Sequence, residues 1–369
     1  MLVTRLRLRD FRSYASAEVA LAPGLTVVHG RNGAGKTNLL EGLYFGLTSR
    51  SCRTTNEREV VRFGASTARV EIETADAEGT HELAVGFEPG QRKRLRADGA
   101  PVERMADVDA RPLASVFLPD RLELVKGAPA LRRAHVDQVV AAAWPARAGT
   151  RRAYTQALAQ RNALISRVRA GRASRASLPA WDAELARHGV ALRDDRAAAV
   201  ELVRERFASL TADLGLPGQG EVRYRPRSQA ATAEELAGEL AERTDSDLDR
   251  GFTGHGPHRD DLALRRDGRD LRAYGSQGEQ RLALLALLLA ERDALAEARG
   301  TVPLLLLDDV MSELDAERRG LLVDLIARAG QALVTTTDLA HVPGAEGSDV
   351  ARVAVADGAV RQDEAVAAA

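Results

Sequence analysis

Gly30-Arg31-Asn32-Gly33-Ala34-Gly35-Lys36-Thr37 is the stretch on which the reading of this 369-residue chain turns. It meets G-x-x-x-x-G-K-[ST] at every fixed position. It also stands between the apolar run Leu25–Val28 and Leu39, Leu40, Leu43, Tyr44 and Leu47, which recur at helical spacing. A strand, a glycine loop and a helix in that order make a phosphate cradle. The glycines let successive backbone N–H groups face an anion, and the helix N-terminus adds partial positive charge. Lys36 then reaches β- and γ-phosphates and Thr37 offers a hydroxyl to Mg²⁺. ATP with Mg²⁺ is the expected ligand, and Gly30, Arg31, Asn32, Gly33, Ala34, Gly35, Lys36 and Thr37 are its expected contacts.

Downstream, Leu304–Leu307 is a fully apolar strand that runs into Asp308-Asp309, as a Walker B strand does. Asp308 is expected to hold Mg²⁺, and Asp309 to orient or deprotonate the attacking water, which makes Asp308, Asp309 and Lys36 the catalytic candidates. A buried strand entering an acidic turn gives the same local pattern, but the upstream phosphate loop favours the catalytic reading. Tyr274-Gly275-Ser276-Gln277-Gly278-Glu279-Gln280-Arg281 precedes the apolar helix Leu282–Ala290. It resembles the ABC signature, whose serine and glycine grip the γ-phosphate of a nucleotide held by a second subunit, so Ser276, Gly278 and Glu279 join the nucleotide contacts. A helix cap is the alternative for this segment alone. Ser312-Glu313-Leu314-Asp315 occupies the D-loop place. Thr337 stands where most ABC ATPases carry histidine, and Asp309 replaces the usual glutamate. One γ-phosphate contact is thereby missing and the catalytic carboxylate is one methylene short, so slow hydrolysis is expected.

Working outward, Leu6 and Leu8 alternate with Arg5, Arg7 and Arg9 at strand period, and Val60–Pro101 reads as a meander broken at Gly79, Pro89-Gly90 and Gly99. Between roughly Pro129 and Leu240 the composition shifts to Ala, Arg, Leu and Glu, which favours helix. Gly171, Pro179, Gly189 and Gly215–Gly220 break any heptad register, so a compact helical lobe is expected in place of a long coiled coil. The predicted fold is α/β: an ABC-type P-loop ATPase head with mixed sheets, formed by residues 1–120 and 251–369, with an inserted helical arm lobe at 121–250.

Composition narrows the setting. With 45% hydrophobic and 28% charged residues the chain reads as an ordinary globular protein. The opening residues lack the apolar core of a secretory leader, and Leu282–Ala290 falls short of the roughly 20 residues that span a bilayer. Cys52 is the only cysteine, and His255 and His258 lack further ligands at a recognisable spacing, so neither a disulfide nor a protein-held metal centre is expected. A cytoplasmic location without membrane attachment follows as the expectation. The net charge of −1 leaves any nucleic-acid binding to local patches. Two present themselves: Arg151, Arg152, Arg161, Arg167 and Arg169, in a stretch without acidic residues, and Arg92, Lys93 and Arg94 on a hairpin. Each gives sequence-independent attraction for phosphates; a solvated helix face is the alternative for either. Aromatic residues make up only 4% of the chain, so backbone contact to duplex or junction DNA is favoured over base stacking.

Along its whole length the chain resembles the RecF family of bacterial recombination-mediator and gap-repair ATPases, related to SMC and Rad50 heads. The resemblance rests on the ATPase motifs, on Leu6-Arg7-Leu8-Arg9-Asp10-Phe11-Arg12-Ser13-Tyr14, and on the block Leu118–Gly127. Arg132-Arg133 and Gly256-Pro257-His258-Arg259-Asp260-Asp261-Leu262 complete it. It implies ATP-dependent homodimerisation on DNA near single-strand gaps or junctions, partnership with RecR and RecO, and roles in repair, replication and the SOS response. No ABC Q-loop glutamine is found in Val116–Leu122. Three other readings stay in view. A transporter ATPase calls for a histidine near Thr337, a P-loop kinase for an acceptor other than water, and a pure scaffold for the loss of hydrolysis.

Overall fold

The alternation at the N-terminus becomes strand β1 (Leu2–Phe11), which buries Val3, Leu6, Leu8 and Phe11 and turns its arginines to the other face. A bulge between Val3 and Arg5 produces the three-residue step from Val3 to Leu6. The structure, a computed structural model, describes residues 1–109, 111–327 and 330–362. These fall into two units, Met1–Arg121 with Leu295 onward, and Leu122–Ala294.

In the first unit β1 joins β2 (Tyr14–Ala20), β4 (Ala68–Ala75), β5 (Thr80–Phe87), β6 (Arg94–Ala97) and β7 (Ala100–Pro101) in an antiparallel sheet of order β2-β1-β4-β5-β6-β7. The breaks at Gly79, Pro89-Gly90 and Gly99 fall between its strands, as the meander reading requires. A second sheet contains β3 (Leu25–His29), β8 (Ala114–Phe117), β12 (Leu304–Leu307), β13 (Ala332–Thr336), β14 (Ala351–Ala356) and β15 (Ala359–Gln362), in the order β15-β14-β3-β13-β12-β8. All its pairings are parallel except β14 with β15. Every residue of β12 and β13 is buried, the pattern of parallel strands covered on both faces. Helix α1 (Lys36–Thr48) contacts both sheets. Leu39, Leu40, Leu43, Phe45 and Leu47 all have 0% exposure, and burying each contributes about 1.5–3 kcal/mol. Helix α10 (Ala316–Ala327) lies between β12 and β13 in sequence.

The second unit holds α2 (Glu123–Lys126), α3 (Pro129–Ala143), α4 (Thr150–Arg169), α5 (Leu178–Asp213), α6 (Ala233–Glu242) and α7 (Thr244–Arg250). Its three-stranded antiparallel sheet contains β9 (Gly220–Arg225), β10 (Asp261–Arg266) and β11 (Arg269–Asp270), followed by α8 (Leu271–Tyr274) and α9 (Gln277–Arg299), whose last residues belong to the first unit. Two expectations are corrected here. The unit extends to Ala294, not to residue 250, because β10 pairs with β9 along its whole length and ties the signature segment to the lobe. Gly189 does not interrupt a helix, for α5 runs through it. A Cβ there would lie 2.9 Å from Leu236 Cδ2, so the glycine admits α6 to close packing. Among the described residues no helix is long and apolar enough to cross a membrane.

Candidate nucleotide-binding site

The parallel strands β3, β12 and β13 all end on one side of their sheet, where open α/β sheets bind ligands. From His29 the chain turns through Gly30–Gly35 into α1. Two glycines are fixed by geometry. A Cβ on Gly30 would lie 2.2 Å from the Val355 carbonyl oxygen, and Gly35 takes φ 117° at the helix N-cap. Tyr14 braces the loop from β2 by donating its hydroxyl to the Gly35 carbonyl at 3.0 Å. Lys36 folds back, its Nζ donating to the carbonyls of Gly30 at 2.7 Å and Arg31 at 3.1 Å. Burial pulls its pKa down, against the opposing charges of Asp309 and Asp308.

Thr37 Oγ1 lies 2.9 Å from both carboxylate oxygens of Asp308, at the end of β12. Thr335 on β13 donates to Asp308 Oδ1 at 2.7 Å and accepts the Asp309 N–H at 2.9 Å. Burial pushes the Asp308 pKa up, and the two threonine bonds only partly offset it. Asp309 takes a left-handed φ of 49°, and its buried Oδ1 has no hydrogen-bond partner among the described residues. These groups suit Mg-ATP. A hydroxyl and a carboxylate stand side by side for an oxygen-ligated cation, an ammonium waits on backbone carbonyls that it can leave, and an acceptor is unfilled.

Sequence reasoning missed three contributors. Thr335 is fully buried and links both aspartates; the run Thr335-Thr336-Thr337 carries the signal, and the functional member is Thr335 within β13, not Thr337, the first residue after it. Glu41, a fully buried carboxylate on α1, receives Arg12 Nε at 2.9 Å and Nη2 at 2.8 Å, Ser51 Oγ at 2.5 Å and Arg53 Nη1 at 3.3 Å. A carboxylate inside the run Leu39–Leu47 was its only sign. Arg53 also donates to Asn38 Oδ1 at 2.9 Å, and its charge slightly opposes the upward push of burial on Asp308.

In the second unit Ser276 caps α9. Its N–H donates to Glu279 Oε2 at 2.8 Å, and Glu279 N–H donates back to Ser276 Oγ at 3.3 Å, a reciprocal capping box. The cap and signature readings are therefore compatible. Ser276, Gln277 and Gly278 are exposed, Glu279 also pairs with Arg266, and Gln280 Nε2 ties the turn to the Leu271 carbonyl at 2.8 Å.

The basic candidates divide. Arg152, Arg167 and Arg169 are exposed on α4, and Arg151 is exposed while reaching Asp137 at 3.3 Å. Arg161 is corrected: its side chain is fully buried between Asp182 at 2.6 Å and Asp247 at 2.7 Å, where no DNA phosphate reaches it. Lys93 is corrected too. Just before β6, it turns inward to Glu57, while Arg92 and Arg94 are exposed. His258, Asp260 and Asp261 each have protein partners. Tyr154 Oη lies 2.7 Å from His258 Nδ1, Asp260 accepts from Tyr224 and from Arg227 N–H, and Arg132 Nε donates to Asp261 at 2.7 Å.

Residues 2–361 match the RecF/RecN/SMC N terminal domain. The chain is 42% identical over 375 residues to the DNA replication and repair protein RecF of Anaeromyxobacter sp. (strain Fw109-5), covering 98% of this chain and 99% of that one. The chain belongs to the RecF family. The RecF of Kineococcus radiotolerans is 38% identical over 98% of this chain and 100% of its own. A solved structure of the recombination mediator protein RecF with ATP, described as part of the RecFOR pathway, superposes with TM-score 0.87 at 25% identity, covering 98% of this chain and 97% of that one. An SMC head bound to the C-winged helix domain of ScpA, at TM-score 0.59 and 17% identity, shares the fold. The predicted ABC-type head is thus the family's fold, and the chain is an ABC-type ATPase of DNA replication and repair.

Proposed function

We propose that this RecF-family chain is an ATP-gated DNA clamp of recombinational gap repair, replication restart and SOS induction. It binds Mg-ATP, closes into a homodimer on DNA near single-strand gaps or junctions, and hydrolyses slowly to release. Partners of the RecR and RecO type take part in loading recombinase, and the cytoplasm is its place of action.

The observation that carries this reading is the contrast in completeness. The first unit gathers Lys36, Thr37, Asp308, Asp309 and Thr335 at one sheet end, whereas Ser276 and Gly278 stand exposed at a 23-residue helix N-terminus with nothing from their own unit over them. An exposed, capped N-terminus suits an anion supplied by another copy. The ammonium of Lys36 leaves the Gly30 and Arg31 carbonyls for the phosphates, while Thr37 and Asp308 exchange their mutual bond for the cation. Mg²⁺, when bound, spreads the charge of the β- and γ-phosphates. Asp309 Oδ1 accepts from the attacking water, and its short side chain keeps turnover low. Arg151, Arg152, Arg167 and Arg169, with Arg92 and Arg94, supply the phosphate-backbone contacts.

Sedimentation velocity with and without Mg-ATP, on wild type and Ser276→Arg, tests the reading. Mass is expected to double with ATP in the wild type alone. An unchanged mass in wild type would remove the composite site.

A further inference from the structure

Lys93 does not serve the outer surface on which its neighbours lie. Its Nζ donates to the Ser49 carbonyl at 2.5 Å and pairs with Glu57 Oε2 at 2.5 Å, above the rings of Phe45 at 5.2 Å and Phe87 at 5.7 Å. Ser49 is the left-handed C-cap of α1, and Glu57 opens the next helical turn. One ammonium therefore closes the neck of the loop between residues 49 and 57, and Arg53 sits midway round it. Ser51 Oγ tightens the hoop by accepting the N–H groups of Arg53 and Thr54, each at 3.0 Å. Arg53 reaches Asn38 and Glu41 on the helix that follows the phosphate loop, and Asn38 Nδ2 donates to Ser13 Oγ at 3.0 Å.

We infer that Lys93 is a positioning residue for ATP turnover, holding Arg53 against α1, and that it transmits the state of β6, the strand it leads into, to the nucleotide site. Arg92 before Lys93, and Arg94 and Arg96 on β6 after it, line a groove of about 300 Å³ with Arg69 and Glu88, across Gly86 and Ala84. Arg94 and Arg69 both stand opposite Gly86 from the strands on either side of it, so no side chain separates that pair. A phosphate backbone drawn to that groove pulls on the residues either side of Lys93. The ammonium joins this surface to the loop without touching nucleotide. Two hydrogen-bonding groups and two aromatic faces hold it, so a methionine of similar length keeps the packing and loses the clamp. The transmission half rests on the DNA reading above; the positioning half does not.

The test measures steady-state ATP hydrolysis by the full-length chain, with and without a 40-base-pair duplex, for wild type, Lys93→Met, Lys93→Arg and Glu57→Gln. Lys93→Met is expected to lower kcat about tenfold with KM for ATP changed less than twofold, and to abolish stimulation by duplex. Lys93→Arg, still a donor to both ends of the loop, should recover at least half the loss. Glu57→Gln should add little to Lys93→Met when the two are combined. A wild-type kcat in Lys93→Met overturns the inference, as does a loss that Lys93→Arg fails to recover. If duplex does not stimulate the wild type, the DNA reading and the transmission half fall together, and the kcat arm still decides on positioning.

Discussion

Asp260-Asp261 of the second unit and Asp308-Asp309 of the first are two Asp-Asp pairs put to different use. Asp260 and Asp261, in the second unit, are saturated: Tyr224, the Arg227 N–H and Arg196 surround the first, and Arg132 grips the second with two bonds. Asp308 and Asp309, in the first unit, keep open valences. Among the described residues, Asp308 is held by the hydroxyls of Thr37 and Thr335, and Asp309 Oδ1 has no partner. Burial raises the pKa of both Asp260 and Asp308, so titration does not separate them. What separates them is whether protein groups fill the acceptor positions, since a saturated carboxylate is structural and an unsaturated buried one awaits a ligand.

The largest effect that sharpens this contrast lies at Asp308. Asp308→Ala is expected to reduce phosphate release about 100-fold or more while changing unfolding free energy by no more than about 1 kcal/mol, because lost desolvation offsets lost hydroxyl bonds. A collapse of stability instead would place Asp308 with the structural pair. Next comes Asp260→Ala, which leaves the buried Arg196 and Tyr224 short of a partner. It should cost about 3 kcal/mol in urea denaturation, with ATP affinity unchanged. Smaller again is a pH effect at His258, two residues away. Burial lowers its pKa to about 4, and the charges of Arg259 and Arg133 add to that. The unfolded chain then takes up a proton near pH 6.5 that the folded one refuses until about 4, so stability is present above this window and lost as pH falls through it. The loss should reach about 2–3 kcal/mol. His258→Gln should flatten the stability profile over that interval; an unaltered profile would mean that the imidazole titrates normally.

Much of this was legible in the sequence because the informative residues are short-range. A phosphate loop needs eight consecutive positions, and an apolar strand ending in two carboxylates needs six. Strand β9 was not legible, since Gly220–Arg225 has only Val222 to bury and gains its place from β10, some forty residues on. The basic runs misled at Arg161 and Lys93 for a related reason. A count of charges does not register which way a helix or strand turns each one, and the partners Asp182, Asp247 and Glu57 lie 21, 86 and 36 residues away. Thr335 went unnoticed because a threonine in a β-rich run looks like ordinary strand composition.

The crowding of Gly30 by the Val355 carbonyl has a consequence for the order of events during synthesis. β3 lies between β13 and β14, both encoded some three hundred residues later. The nascent loop at residues 30–37 emerges early yet lacks its floor until the last strands are translated, a delay on the order of tens of seconds. A ribosome-bound fragment that stops short of β13 therefore has the motif without the pocket, and nucleotide capture marks the moment at which β13 and β14 close on β3.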